Sequence, residues 1–332
     1  MNFNPVEKKI IELIRERSRT TGEIPGLGIG DDAAFLLLSS MEESKLVVST
    51  DSVIENVHYK TSWCNYADIA VKLIERASSD ILAKGGHPHW ALLNMNITKE
   101  LSVDEKNMIQ FIDAFCQKLK DHNIALIGGD ISRSATNSFT MTVLGNTSTF
   151  IRRKNTEIEK GDLVVMWGCV GGSSFALTEF LEGRKPDDSL AALYRRPQAG
   201  WQNEWLTKLH CKASMDQSDS LMETLETLSI ENNVNFKINL DMIPLSQGVD
   251  QSLKEKIYQN ILTASEDLAI IAVIPYSEAK NIVHFTNVTV IGEVLEKTLP
   301  EKEAGIFYFW KNENIKINQI PKSFFREFYH HF

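Results

Sequence analysis

The chain has 332 residues and a formal net charge of −9, with 43% hydrophobic and 24% charged residues. These values are ordinary for a globular protein with a sizeable core, and the length favours two domains. The acidic balance argues against a nucleic-acid-binding protein, which would carry a basic stripe. No run of about 18 apolar residues occurs, so we expect no membrane span. The four cysteines are scattered, which is typical of reduced thiols in a cytoplasmic protein.

Hydrophobic periodicity predicts alternating helices and strands in the first half of the chain. The predicted helices cover residues 5–19, 67–84 and 102–121. Ser102 and Glu105 match a capping box at the start of the third helix. The predicted strands cover residues 33–38, 45–50, 90–97, 124–127 and 139–144. We expect the second strand to end directly on Asp51, and the fourth to end on the Gly-Gly-Asp of residues 128–130.

A new unit begins after the basic cluster at residues 152–154, so we place a domain boundary near residue 150. The predicted strands that follow cover residues 163–167, 236–240, 268–273, 288–294 and 305–310. The predicted helices cover residues 173–181, 221–230 and 277–285. The expected fold class is therefore α+β in two domains. Residues 1–150 are expected to form a mixed sheet with helices, and residues 151–332 an α/β sandwich domain.

A set of carboxylates lies mostly beside Gly, Ser or Thr and away from cations: Asp31, Asp32, Asp51, Asp80, Asp130, Asp216 and Asp219. Magnesium takes oxygen ligands and often bridges protein carboxylates to substrate phosphates. Asp is also common in turns, because its side chain bonds the local backbone. Taken alone, the pattern fits either a shared magnesium site or separate turns and caps. The chain has neither of the common glycine-rich phosphate motifs, so a nucleotide would be held through metals.

With these stretches in order, the sequence resembles the thiamine-monophosphate kinases. Their superfamily also holds aminoimidazole-ribotide synthetase, selenophosphate synthetase and a hydrogenase-maturation protein. The matching stretches cover nearly the whole chain: residues 28–33, 49–52, 57–59, 79–83, 88, 126–130, 161–162, 215–219, 266–267, 291–293 and 329–332. One such motif would be weak evidence, whereas the ordered set is specific.

The resemblance implies a role for each matching position. The implied magnesium ligands are Asp32, Ser49, Thr50, Asp51, Asp80, Asp130, Asp216 and Asp219. ATP would contact Gly129, Asp130, Ser218 and, with a shifted spacing, Arg153. Thiamine phosphate would face His58, Glu266 and Tyr329. Asp51 and Asp130 are the expected catalytic residues, and the implied reaction converts ATP and thiamine phosphate into ADP and thiamine diphosphate. The family also implies a homodimer that pairs through strands of the N-terminal domain.

The chain departs from the family pattern mainly in its C-terminal half. Ser220 stands where the family has Gly after Ser-Asp, and residues 197–200 read Pro-Gln-Ala-Gly against Pro-x-Pro-Arg. Residues 264–270 read Ala-Ser-Glu-Asp-Leu-Ala-Ile against Gly-Gly-Glu-Asp-Tyr-Glu-Leu. These changes keep two alternatives open. The chain could be another ATP-dependent synthetase of the superfamily, or a degenerate relative that binds metal and nucleotide without transferring phosphate.

Overall fold

A computed structural model of the chain describes residues 34–36, 45–249, 261–297 and 305–315, and its strands form two sheets. The first sheet has the spatial order β1-β2-β5-β3-β4. Its strands are β1 (Ala34–Leu36), β2 (Lys45–Ile54), β3 (His87–Ile97), β4 (Ala125–Arg133) and β5 (Ser138–Thr147). Neighbouring strands are antiparallel except for β3 and β4, which are parallel. The prediction of a mixed sheet in the N-terminal half is confirmed.

One face of the first sheet packs against helices. These are α1 (Tyr66–Ala83), α2 (Lys99–Val103) and α3 (Glu105–Asp121). Phe139, Met141 and Val143 alternate along β5 and are completely buried, because alternate residues of a strand face the same side. Helix α1 begins at a capping box formed by Asn65 and Asp68. The prediction of a helix over residues 67–84 is therefore confirmed within one residue at each end.

The second sheet has seven strands in the order β12-β11-β8-β10-β6-β9-β7. They are β6 (Leu163–Trp167), β7 (Ala213–Asp216), β8 (Val234–Asn239), β9 (Ile270–Ile274), β10 (Val288–Lys297), β11 (Ile306–Trp310) and β12 (Glu313–Ile315). The helices of this half are α4 (Gly172–Leu181), α5 (Asp188–Arg195), α6 (Glu204–Lys208) and α7 (Leu221–Asn232). Val164 and Val165 enter different hydrophobic clusters, so both faces of β6 are covered. No helix in the described ranges is long and apolar enough to cross a membrane.

The end of the helix predicted over residues 102–121 is confirmed, but its start and its Ser102 cap are wrong. Helix α2 ends before Asp104, which caps helix α3 by accepting a hydrogen bond from the backbone of Asn107 at 3.1 Å. The Ser102 hydroxyl instead donates to the Lys99 carbonyl. Asp is a strong N-cap residue, so it starts a new helix where the periodicity alone predicts continuation.

The helix predicted over residues 277–285 is also wrong, and two short 3₁₀ turns, Tyr276–Glu278 and Ile282–His284, occupy this segment. Helices α5 and α6 and strands β7 and β12 were not predicted. The remaining strand and helix predictions are confirmed to within a few residues where the structure describes them, except that β4 extends to Arg133. The helix predicted over residues 5–19 and the turn at residues 28–33 lie outside the described residues.

Strands β2 and β4 are longer than predicted, and this changes the setting of two carboxylates. All ten residues of β2 pair with β5, so Asp51 lies inside the strand and not at its end. Strand β4 continues through Asp130 to Arg133 because it pairs along β3. A side chain inside a strand points to one face of the sheet, so pairing decides where each carboxylate lies.

The C-terminal end of α1 joins the two sheets. The Asn203 side-chain amide donates to the carbonyls of Leu82 at 3.0 Å and Gly86 at 2.8 Å. Nearby, the Ser214 hydroxyl on β7 donates to the carbonyl of Ala83. Carbonyls at a helix C-terminus lack partners within the helix. Side chains from the second half of the chain therefore complete this helix end and fix its position.

We predict that Asn203→Ala lowers the free energy of unfolding by about 1–3 kcal/mol, because it removes two donors from buried carbonyls. Urea denaturation followed by circular dichroism measures the change. The control is Gln202→Ala at the neighbouring exposed position, which should leave the unfolding free energy within about 0.5 kcal/mol of wild type. An equal loss in both variants would contradict the assignment.

Candidate active site

Helix α1 carries a polar face although most of its residues are buried. Lys72, Arg76, Ser79 and Asp80 lie on that face, within about 100° of one another at 3.6 residues per turn. Lys72 is 1% exposed and Arg76 is 5% exposed. Buried charges are rare unless they are paired, so the partners of this face define the candidate site.

Hydroxyl–carboxylate hydrogen bonds connect α1 to β2 and to β7. The Ser79 hydroxyl donates to Asp216, the last residue of β7, at 2.6 Å. The Ser49 hydroxyl on β2 donates to Asp80. Two predicted metal positions, Ser49 and Asp216, therefore contact α1 from the two sheets, at Asp80 (a third such position) and at its neighbour Ser79. Within the described part of the chain, His, Cys, Asp and Glu side chains do not form a group of three that could hold a metal ion by themselves.

The guanidinium of Arg76 lies between two carboxylates from different sheets. Its Nε donates to Asp51 Oδ2 at 3.0 Å, and its Nη2 donates to Asp51 Oδ1 at 3.3 Å. Its Nη1 donates to Glu266, in the loop that precedes β9. Burial alone would lower the pKa of Arg76, but the two carboxylates outweigh this effect and raise the pKa above its usual value.

Lys72 and His58 lie beside Glu266. Lys72 Nζ is 3.6 Å from Glu266 Oε2 and donates to the backbone carbonyls of His58 and Tyr194. His58 is buried, and its Nδ1 accepts a hydrogen bond from the backbone of Ile54 at 3.1 Å. The neutral imidazole therefore carries its proton on Nε2. Two predicted substrate-binding residues, His58 and Glu266, are thus brought together.

Glu266 is ionised in this setting. Burial would raise its pKa, but the cations Arg76 and Lys72 outweigh burial and lower the pKa to about 2. A carboxylate that stays charged while buried can hold a cationic group of a ligand. It also depends on its own cations, because losing them would leave an uncompensated buried charge.

The loop before β9 directs the Glu266 side chain toward α1 and the Asp267 side chain toward the start of α4. Glu266 and Leu268 have left-handed backbones, with φ of 60° and 56°. The Glu266 amide donates to the Ser218 carbonyl at 3.1 Å, which ties this loop to the segment after β7. Asp267 accepts hydrogen bonds from Gly171 and Ser173 at the start of α4. Burial raises the pKa of Asp267 to about 7, although both amides favour its charged form.

Asp130 is not brought together with Asp51. Ser52 pairs with Thr140, which pairs with Asn94, which pairs with Asp130. Paired residues share a face of the sheet, whereas neighbours along a strand face opposite sides. Asp130 therefore lies on the face opposite to Asp51, roughly 14 Å away across three strand spacings. Thr50 shares this open face, where its hydroxyl bonds to that of Thr142 at 3.0 Å.

Gly129 is required by the strand pairing itself. Its φ is 150°, and a Cβ at this position would lie 1.8 Å from the Leu93 carbonyl oxygen. No side chain fits at that distance, so the glycine has a structural reason that is independent of any nucleotide.

The other predicted positions are dispersed. Arg153 pairs with Glu231 at 3.3 Å near the start of β7, whereas Asp216 ends that strand. Asp219 is exposed on the turn before α7. Asp32 and Tyr329 lie outside the described residues. The roles predicted for these four residues stay predictions.

Lys72, Arg76 and Ser79 are the residues that sequence reasoning missed. The available signal was their helical spacing with Asp80, on a helix whose apolar face was already predicted. Charged residues on a helix are usually solvated, so their burial becomes evident only from the second sheet that covers them.

A cavity of about 740 Å³ borders Asp267. Its walls include Glu75, Lys118, Trp167, Ala199 and Ala269. Gly200 lies behind this wall, because a Cβ there would meet Ile270 and Trp167. The departures at residues 199, 200 and 269 therefore meet at one cavity, whereas the polar face of α1 lies beside Glu266.

The lowered pKa of Glu266 makes a prediction about pH. Its ordinary value is 4.5 and its folded value about 2, so the stabilisation is present above pH 4.5 and is lost as the pH falls toward 2. Linkage sets an upper limit on the order of 3 kcal/mol. The measurement is urea unfolding at a series of pH values between about 6 and 3. Over this range the free energy of unfolding should fall more for wild type than for Glu266→Gln, so the two free energies should approach each other as the pH falls.

The matched control is Glu293→Gln, which removes an ion pair with Lys237 at a partly exposed position. This variant should follow wild type at every pH, because exposed pairs contribute little. A constant difference between wild type and Glu266→Gln across the pH range would contradict the lowered pKa.

Comparison with known proteins places the chain in a family. Residues 30–147 match the AIR synthase related protein, N-terminal domain. The thiamine-monophosphate kinase of Leptospira interrogans is 29% identical over 258 residues, which cover 76% of this chain and 82% of the relative. That of Aquifex aeolicus is 30% identical over 222 residues, which cover 66% of this chain and 70% of the relative.

A solved structure has the same fold. It is described as AaThiL complexed with AMPPCP and TMP, and it superposes with a TM-score of 0.76 at 24% identity. The match covers 95% of this chain and 97% of that one. The described fold, the convergence of Ser49, Asp80 and Asp216, and the identity to the Aquifex relative lead to one conclusion: the chain belongs to the thiamine-monophosphate kinase family.

Proposed function

We propose that the chain transfers a phosphoryl group from ATP to thiamine monophosphate, giving ADP and thiamine diphosphate. The observation that carries the proposal is the convergence of Ser49, Asp80 and Asp216 on helix α1. These are positions at which the family resemblance implies metal ligands. The relatives named thiamine-monophosphate kinase and the neighbour complexed with AMPPCP, an ATP analogue, and TMP support it further.

The donor atoms at this site fit magnesium. Carboxylate and hydroxyl oxygens are hard ligands, which Mg²⁺ prefers. The described residues that would hold it are Ser49, Asp80 and Asp216. The family resemblance alone implies the further ligands Asp32, Thr50, Asp51, Asp130 and Asp219. When bound, Mg²⁺ neutralises phosphate charge and orients the transferring group. The Asp80 and Asp216 carboxylates accept from the Ser49 and Ser79 hydroxyls, so these two contacts would rearrange when the metal binds.

The residues themselves account for binding and alignment. The acceptor is a phosphate, which is already an anionic nucleophile, so a strong general base is not needed. The main obstacle is repulsion between two anionic substrates, which Mg²⁺ held by Ser49, Asp80 and Asp216 would reduce. Glu266 stays charged beside His58 and can hold the positively charged thiazolium ring of thiamine phosphate. Fixing both substrates in line is then the largest contribution the site can make.

We further propose a homodimer that pairs through the first sheet. Strand β4 is an edge strand of that sheet in the described chain. Leu126, Ile127 and Ile131 on β4 are 45%, 57% and 66% exposed. An apolar edge strand is a template for pairing with another chain, and a second copy is the partner that the family resemblance implies.

The proposed domains are residues 1–150, which hold the first sheet, and residues 151–332, which hold the second.

The decisive experiment mixes purified protein, ATP, Mg²⁺ and thiamine monophosphate and follows thiamine diphosphate by chromatography. We expect product with wild type and a loss of at least about 100-fold in kcat with Asp216→Asn, because a charged oxygen ligand is removed. Asp188→Asn is the control, since Asp188 is exposed on α5 and pairs only with exposed Lys185 at 3.2 Å in the described residues.

The alternatives give different results in the same experiment. Nucleotide binding without thiamine diphosphate would favour the degenerate relative. Consumption of ATP that requires a different acceptor would favour another synthetase of the superfamily. Activity of Asp216→Asn near the wild-type level would exclude Asp216 as a metal ligand.

The dimer makes its own prediction. Ile131→Glu should shift the protein from dimer to monomer in light scattering after size-exclusion chromatography, because it places a charge on the apolar edge. The control Val283→Glu changes a residue that is 80% exposed in the second half of the chain and should remain dimeric. A wild-type monomer, or a dimer that survives Ile131→Glu, would count against pairing through β4.

A further inference from the structure

Arg76 does not belong to any motif from which the family resemblance was drawn, yet its guanidinium occupies the centre of the site. We propose that Arg76 is a built-in cation that takes the place of a metal ion at Asp51, so that Asp51 binds Arg76 and not a divalent cation. The proposal rests on the proposed function, because that function makes Asp51 an expected metal ligand.

The first support is geometric. Both carboxylate oxygens of Asp51 accept from Arg76, at 3.0 Å from Nε and 3.3 Å from Nη2. The backbone amide of Ser52 also donates to Oδ1, at 2.6 Å. A guanidinium fork that holds both oxygens of a carboxylate is a strong, directional pair. A metal ion at Asp51 would have to displace this pair or lie beside its positive charge.

The second support is burial. Arg76 is 5% exposed, and its remaining donor contact is to Glu266 from the other sheet. The guanidinium therefore cannot swing into solvent without separating Glu266 from α1. Removing one partner of a buried ion pair is strongly unfavourable. The charge at Asp51 is consequently fixed by the fold, whereas a bound metal ion would exchange with solution.

The third support is the contrast with Asp80 and Asp216. Asp80 accepts a hydrogen bond from the neutral hydroxyl of Ser49, and Asp216 accepts one from that of Ser79. A hydroxyl leaves the negative charge of a carboxylate in place, and it can turn to become a metal ligand itself. The guanidinium of Arg76 therefore neutralises Asp51 in a way that the hydroxyl contacts of Asp80 and Asp216 do not.

The test counts bound Mn²⁺, a paramagnetic substitute for Mg²⁺, by the electron paramagnetic resonance signal of the free ion. The titration uses full-length protein without nucleotide or thiamine phosphate, so failure of the proposed kinase activity does not affect it. Arg76→Gln should bind one additional Mn²⁺ per chain or bind Mn²⁺ at least about tenfold more tightly. Arg196→Gln, which removes an Arg–Asp68 pair from the opposite end of α1, should behave as wild type.

Asp51 provides the second half of the test. Asp51→Asn should leave Mn²⁺ binding of the wild-type background unchanged, because Arg76 already neutralises that carboxylate. In the Arg76→Gln background, Asp51→Asn should abolish the additional or tighter Mn²⁺ binding. Two results would overturn the proposal: Arg76→Gln that binds Mn²⁺ as wild type does, or Asp51→Asn alone that removes a bound Mn²⁺. The second result needs only Asp51→Asn, so it decides the matter even where Arg76→Gln does not fold.

Discussion

The buried contact of Arg76 with Asp51 and Glu266 joins the two sheets at the point where the proposed chemistry occurs. The remaining site contacts depend on it, because they require helix α1 to keep a fixed rotation about its own axis and a fixed position along that axis between the sheets. A turned helix would separate Ser79 from Asp216 and Asp80 from Ser49 together. Partly satisfied buried polar networks are costly, so the arrangement favours a single position of the helix.

The adjacent acids Glu266 and Asp267 face two different regions of the site. Glu266 faces the cations of α1, and Asp267 holds the start of α4 and borders the cavity. The departures from the family pattern at residues 199 and 269 lie on the cavity side. Ser49, Asp80 and Asp216, which are expected to bind metal, lie on or beside α1. Substitution has therefore changed the packing around the site more than the oxygen ligands that converge in it.

Much of this could be predicted from the sequence, for identifiable reasons. Helix α1 and the strands of both sheets follow from hydrophobic period, which packing then reinforces. Asp51 and Asp130 look alike in sequence, since each follows a β-like run. Their opposite faces depend on the pairing of β2, β5, β3 and β4, which local pattern does not specify. The roles of Lys72 and Arg76 were missed for a related reason: their partner, Glu266, is about 190 residues away in sequence.

The ion pair between Arg76 and Glu266 also constrains how the sequence can change during evolution. A chain that loses Arg76 first leaves the buried Glu266 with one cation fewer and the partly exposed Asp51 without its guanidinium partner. A chain that loses Glu266 first keeps a buried cation with one partner fewer. Either single step passes through a less stable protein. Substitutions at positions 76, 51 and 266 should therefore occur together across lineages. Related chains would then form two groups, one with all three charged residues and one with other residues at all three positions.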